Sequence, residues 1–191
     1  MKPLFHMDLY PMQSHRWHKT MVALVLFSLS ALPLTSTIQS QHRPAEKKHV
    51  WKTYTNVRFA YSVCYPSDLL LSQGEAENSD GQKFISTDNR AEALVYGSNN
   101  ALNQRAEDLY SDNIRSAEKE GIHISYKLLR HDRFAISGEG NGKVLYERVV
   151  LSQGVFKTLR LEYPAEMKGD FDPIISAMSA CFRTNLKPLS R

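Results

Sequence analysis

Residues 21–34, MVALVLFSLSALPL, form an apolar run directly behind Arg16, Trp17, His18 and Lys19. This run fixes how much of the chain is left to fold and in which compartment. A membrane-spanning helix needs roughly 20 mostly apolar residues. The run is shorter than that, and Pro33 breaks its end. A short apolar core behind a basic flank has the form of a secretory signal peptide. Ser36, Thr37 and Ser40 offer small residues for cleavage, and no cysteine follows that would carry a lipid anchor. The expected organisation is a signal peptide and cleavage region over residues 1–40, a flexible linker over 41–50, one domain over 51–183, and a polar tail over 184–191. The expected location is periplasmic or secreted, with no stable membrane span after cleavage.

Removing residues 1–40 leaves about 150 residues, enough for one domain. Three of the 24 basic and one of the 20 acidic residues lie in that segment, so the net charge of +4 falls to +2. A nearly neutral, mixed-sign surface argues against nucleic acid as a partner. The cluster His42, Arg43, Lys47, Lys48 and His49 falls in the linker and reads as a solvated charge run.

Along the domain, Val57, Phe59, Tyr61 and Val63 alternate with Arg58, Ala60, Ser62 and Cys64, which predicts one strand ended by Tyr65-Pro66. Residues 69–71 suggest a short strand, and 73–82 a polar loop closed at Asp80-Gly81. Residues 83–87 and 91–97 form a hairpin around Asp88-Asn89-Arg90. Leu102, Ala106, Leu109, Tyr110, Ile114 and Ala117 recur at helical spacing, with Asn100 or Asn103 as the cap and Gly121 just past the end. Ile122, Ile124, Tyr126 and Leu128 predict another strand. Residues 134–139, 143–151 and 155–163 predict three more, the first two joined at Asn141-Gly142, a strong hairpin signal. A closing helix is expected to be capped by Asp172, with Pro173 in its first turn and Phe171, Ile174, Ile175, Met178 and Phe182 as its stripe. The order strands, helix, strands, helix implies the α+β class, an antiparallel sheet flanked by helices.

The segment Tyr54-x-Asn56-x-Arg58-Phe59-Ala60-Tyr61-Ser62-Val63-x-Tyr65-Pro66 resembles the opening of PsbP-like domains, whose first aromatic-rich strand ends in Tyr-Pro. The later order of elements, closing on a helix, also fits. The resemblance implies an antiparallel sheet sandwiched between helices, an α/β/α sandwich. Members of this superfamily include an accessory protein of photosynthetic oxygen evolution, a nuclear Ran-binding protein and bacterial envelope proteins. They share shape more than activity, so the fold transfers and the function does not. Paired cysteines are not a hallmark of the superfamily, so Cys64 and Cys181 suggest a particular bacterial subgroup.

Several local patterns suggest chemistry and fail on context. Ser111-Asp112-Asn113 and Ser116-x-x-Lys119 match motifs of penicillin-recognising enzymes, but both sit in one predicted helix and in reverse order. The third motif is missing, because Leu159 follows Lys157-Thr158. Gly138-x-Gly140-x-Gly142 lies between strands, where a dinucleotide fingerprint needs a strand and then a helix. Asn78-x-Asp80-Gly81, with Glu75 and Glu77 nearby, lacks the first and twelfth ligands of a calcium loop, since Ala76 and Thr87 stand there. His123, His131 and Asp132 offer an acid-base group with no placed nucleophile. For Cys64 and Cys181, compartment and even count favour a structural disulfide over a reactive thiol.

These readings name no catalytic residue, no cofactor-binding residue, no cofactor and no metal ligand. They point to an exported accessory or binding protein without enzymatic activity, with an envelope protein as the candidate partner. The alternative is a small periplasmic hydrolase or a small-ligand-binding protein with a loop-built pocket. A cleft with convergent polar groups favours that alternative, and a flat aromatic surface favours a protein partner.

Overall fold

The computed structural model describes residues 48–185. The expected signal region 1–40, most of the linker 41–50 and most of the tail 184–191 lie outside the described residues. The elements run β1 (Trp51–Asn56), β2 (Tyr61–Pro66), β3 (Leu70–Glu75), β4 (Gly81–Ser86), β5 (Glu92–Asn99), α1 (Ala106–Lys119), β6 (His123–Arg130), β7 (Arg133–Gly140), β8 (Lys143–Ser152), β9 (Val155–Pro164) and α2 (Lys168–Cys181). A 3-10 turn, Ala165–Met167, leads into α2.

Seven strands form one antiparallel sheet in the order β3-β4-β5-β9-β8-β7-β6, and β1 and β2 form a separate hairpin. Alternation along β9 builds both faces. Leu159, Leu161 and Tyr163 point to one side, where β2 and α2 supply Tyr61, Val63, Phe171, Ile174 and Met178. Phe156 points to the other, with Leu145 and Val149 of β8, under the Ala106, Leu109, Ile114 and Ala117 stripe of α1. The result is an α+β sandwich, a sheet with a helix on each face and the hairpin beside α2.

Six features differ from the sequence reading, each for a local reason. The expected strand from Val57 is a turn followed by β2. Asn56 is fully buried and accepts the Phe59 backbone N–H on Oδ1 at 2.8 Å, closing the turn. Ala60 then takes a left-handed φ of 53° and Val57 is 84% exposed. Phe59 still reaches the core by lying over Gly97, where a Cβ would fall 2.6 Å from its ring.

The expected polar loop 73–82 is half strand, because β3 extends to Glu75 and β4 starts at Gly81. The first helix begins at Ala106, so Leu102 precedes it and is 81% exposed. One amide at its start, the Arg105 backbone N–H, is met by the Asp108 carboxylate at 2.9 Å, while Asn100 instead brackets Gln104. Gly121 does take the left-handed conformation just past the end, at φ 79°.

In β6 a bulge between Ile124 and Tyr126 breaks the alternation, so Ile124 is buried and Tyr126 is 49% exposed. The last helix starts at Lys168, leaving Pro173 inside it and Asp172 free to accept the Tyr163 hydroxyl at 2.8 Å. His49 and Val50 also dock, through a His49 Nδ1–Asp68 contact of 2.9 Å and the Val50 N–H to Asp68 at 2.9 Å. The hairpin at Asn141-Gly142 has the two positive φ values, 51° and 73°, that its sequence predicts.

After α2 the chain returns along β2, where Ser62 and Arg183 exchange both backbone hydrogen bonds at 2.9 Å. This approach brings Cys64 of β2 and Cys181, the last residue of α2, to disulfide distance, with Cα atoms 5.9 Å apart across a separation of 117 residues. A crosslink over so long a loop removes about 4–5 kcal/mol of unfolded-state entropy in the chain-entropy model. Cys64→Ser, Cys181→Ser and reduction are each expected to lower the melting temperature by a similar amount, with the double variant little worse than either single one. Calorimetry of the four samples checks this.

Candidate functional site

A cleft of about 310 Å³ opens between α1 and the sheet. Its floor follows from strand register. Tyr96 of β5 lies opposite Thr158 of β9, and Arg160 of β9 lies opposite Glu147 of β8, all on the α1 face. The turn from Asn99 to Gln104 forms one wall, held by Asn100, whose side chain accepts the Gln104 N–H and donates to its carbonyl, both at 2.8 Å. Leu102, Leu109 and Phe156 supply apolar surface.

Glu147 is the central group. It is only 3% exposed, on the same strand face as Leu145 and Val149. Asn113 of α1 donates from Nδ2 to Glu147 Oε2 at 3.1 Å, and Arg160 Nη1 lies 3.7 Å from that same oxygen. Oε1 accepts no hydrogen bond from a described residue, and because no sealed side-chain oxygen among the described residues lacks a partner, it is open to solvent on a residue that lines the cleft. Burial pushes the Glu147 carboxyl above the usual carboxylate range, against the pull of Arg160 and Asn113. Arg160 is committed elsewhere, since Nε and Nη2 both donate to Glu162 Oε1, at 2.9 and 2.6 Å. Burial works against its charge, but Glu162 and Glu147 outweigh that and raise its pKa. Burial also raises the Tyr96 phenol, with the Glu147 charge adding to the effect.

The sequence-derived candidates are scattered. Ser111 is exposed and donates to the Glu107 carbonyl in its own helix at 3.0 Å. Asp112 pairs with Arg115, and Lys119 is exposed. Of that helix, Asn113 and Ser116 line the cleft. Lys157 is buried on the opposite sheet face and donates to the Thr184 carbonyl, with its pKa lowered by desolvation. Gly138, Gly140 and Gly142 lie in and beside the β7–β8 turn.

Around Asn78 and Asp80 the polar groups satisfy one another. Asn78 Nδ2 donates to Asp80 at 2.7 Å, and Glu75 accepts from Tyr54 and Asn56, both at 3.0 Å. Glu77 is exposed, and no cluster of three His, Cys, Asp or Glu side chains suited to a metal occurs among the described residues. His123 is exposed on β6 opposite Glu139, whereas His131 and Asp132 sit in the β6–β7 turn, where Asp132 lies 3.7 Å from Arg133. Sequence reasoning missed Glu147, Arg160 and Tyr96. Its missed signal was parity, because Glu147 occupies a position that the alternation of Leu145 and Val149 marks as interior.

Together these features define a PsbP-like α+β fold with a polar cleft beneath one helix. No family model and no curated protein matches the chain. Among solved structures, it is similar to the solution structure of cyanobacterial PsbP (CyanoP) from Synechocystis sp. PCC 6803, with a TM-score of 0.52 at 10% identity, covering 75% of this chain and 97% of that one. Likeness at that identity speaks to the fold alone.

The raised Glu147 pKa has a sign that can be measured. An acid whose folded pKa exceeds its unfolded value contributes full stability below the unfolded value and loses it as pH rises through the folded one. Glu147→Gln removes that titration while keeping the Asn113 contact. The melting temperature of the variant relative to wild type is therefore expected to rise from pH 4 to pH 8. Paired thermal melts across that range test it.

Proposed function

We propose that this chain is an exported, non-enzymatic binding protein that holds a small polar ligand in the cleft under α1. The observation that carries this reading is the buried Glu147 carboxylate with one oxygen open to the cleft. Burying a charge is costly, and a ligand that satisfies the open oxygen offsets that cost. The surrounding groups suit recognition, since Arg160 is held by Glu162 and Asn113 by Glu147. Export is supported by the signal-like run and by a cysteine pair at disulfide distance, which fits an oxidising compartment. The cleft is only partly loop-built, because helix and sheet supply the other walls.

Cell fractionation is expected to place the protein in the envelope or medium, with an intact mass showing processing between Leu34 and Gln41. A thermal-shift panel of small amines, carboxylates, sugars and polyols is expected to contain a compound that raises the melting temperature by several degrees. Saturation at one hundred times Kd stabilises by about 2.7 kcal/mol. Ser116→Trp, which fills the cleft from an exposed position on α1, is expected to abolish that response without lowering the unliganded melting temperature. A panel with no hit, or a hit that Ser116→Trp leaves intact, overturns the ligand-binding reading.

A further inference from the structure

We propose that the ligand is a small organic ammonium cation, bound through its N–H donors to Glu147 Oε1, with its carbon chain against Leu102, Leu109 and Phe156. This rests on the reading of the cleft as a ligand site and adds the sign and size of what enters it. Charge comes first. One guanidinium, Arg160, has Glu162, Glu147 and Glu120 within 2.6, 3.7 and 4.0 Å, so the local balance is negative. The Nε/Nη2 fork of Arg160 is taken by Glu162 Oε1, and its Nη1 lies beside Glu147 Oε2, so two carboxylates already stand against this cation.

Geometry is the second argument. Both partners of Glu147 converge on Oε2, which leaves Oε1 open to solvent without a donor from the described residues. On a side chain only 3% exposed, that open oxygen is met either by water or by a ligand donor, and a charged donor binds a carboxylate most strongly. Size is the third. A volume of about 310 Å³ is at the small end of ligand pockets, roughly 300–1,000 Å³, which suits a chain of a few carbons.

The cleft also ties binding to pH. The groups facing Glu147 are Asn113 and, at the C-terminal end of α1, Glu120; Tyr96 from β5; and Arg160 and Glu162 from β9. Its carboxyl is held above the ordinary range chiefly by burial, so protonation competes with a bound cation as pH falls. A cation binds the ionised form and releases that proton.

The test is calorimetry on the disulfide-intact protein with n-butylammonium, butyrate and 1,4-butanediol, three probes of similar chain length and different charge. n-Butylammonium is expected to bind at least tenfold more tightly than the other two. Glu147→Gln is expected to weaken it at least tenfold while the variant still unfolds in a single cooperative thermal transition. Wild-type affinity is expected to weaken from pH 8 to pH 5, and Glu147→Gln to show no such trend. If the variant does not fold, proton release on the wild type, read from heats in buffers of different ionisation enthalpy, decides. Failure of n-butylammonium to bind, tighter binding of butyrate or butanediol, unchanged affinity in a folded Glu147→Gln, or absence of proton release at mildly acidic pH overturns the inference. In those cases the broader reading still stands if another compound stabilises the protein in a manner that Ser116→Trp abolishes. It falls too if none does.

Discussion

The domain depends on strict alternation along β9. This strand is paired on both edges, with β5 and β8, and covered on both faces. Its odd-numbered residues, Leu159, Leu161 and Tyr163, pack under α2, and its even-numbered residues, Phe156, Thr158 and Arg160, lie under α1. A slip of one residue would put Arg160 among Phe171 and Ile174 and would leave Glu147 without its cation. Register, packing and the polar site are therefore one constraint, enforced by the same ten-residue strand.

The two faces treat that constraint differently. The α2 face is a dense, mainly apolar core with stacked aromatics, such as Tyr163 on Phe171 at 4.9 Å, and its polar groups are paired, Lys157 with the Thr184 carbonyl and Tyr146 with Ser179 at 2.8 Å. The α1 face gives up part of its apolar area to Glu147, Thr158 and Tyr96. A buried ion pair seldom stabilises a fold more than apolar packing of the same volume would. The α1 face therefore carries groups that packing alone does not explain, and the α2 face holds the domain together.

Much of the architecture was legible in the residues. Alternation from Phe134 to Tyr163 marked three consecutive antiparallel strands, Asn141-Gly142 marked their first hairpin, and the Phe171 to Phe182 stripe marked the closing helix. Failures came where a single side chain overrode periodicity. Asn56 turned an apparent strand into a turn by capping the Phe59 amide, and Asp108 moved the start of α1 past Leu102. The bulge at Ser125 left no trace in the pattern of Ile124 and Tyr126, because either residue type suits either face. The site was harder to see because its parts come from β5, α1, β8 and β9, and no short motif spans them. Asn113 was noticed only as part of a misplaced motif, although its actual partner, Glu147, stood out by position in an apolar strand face.

The position of the cysteine pair has a mechanical consequence. Cys64 and Cys181 bracket β3 to β9 and both helices, leaving outside the ring, among the described elements, β1 and the start of β2. With that bond formed, tension applied at the two ends of the chain would be carried across the crosslink and would bypass the seven-stranded sheet. Only β1 and the strand-like contact of Ser62 with Arg183 would peel, and the contour length released would be a small fraction of the domain. A protease that cut any loop within the ring would leave the two fragments tethered in register.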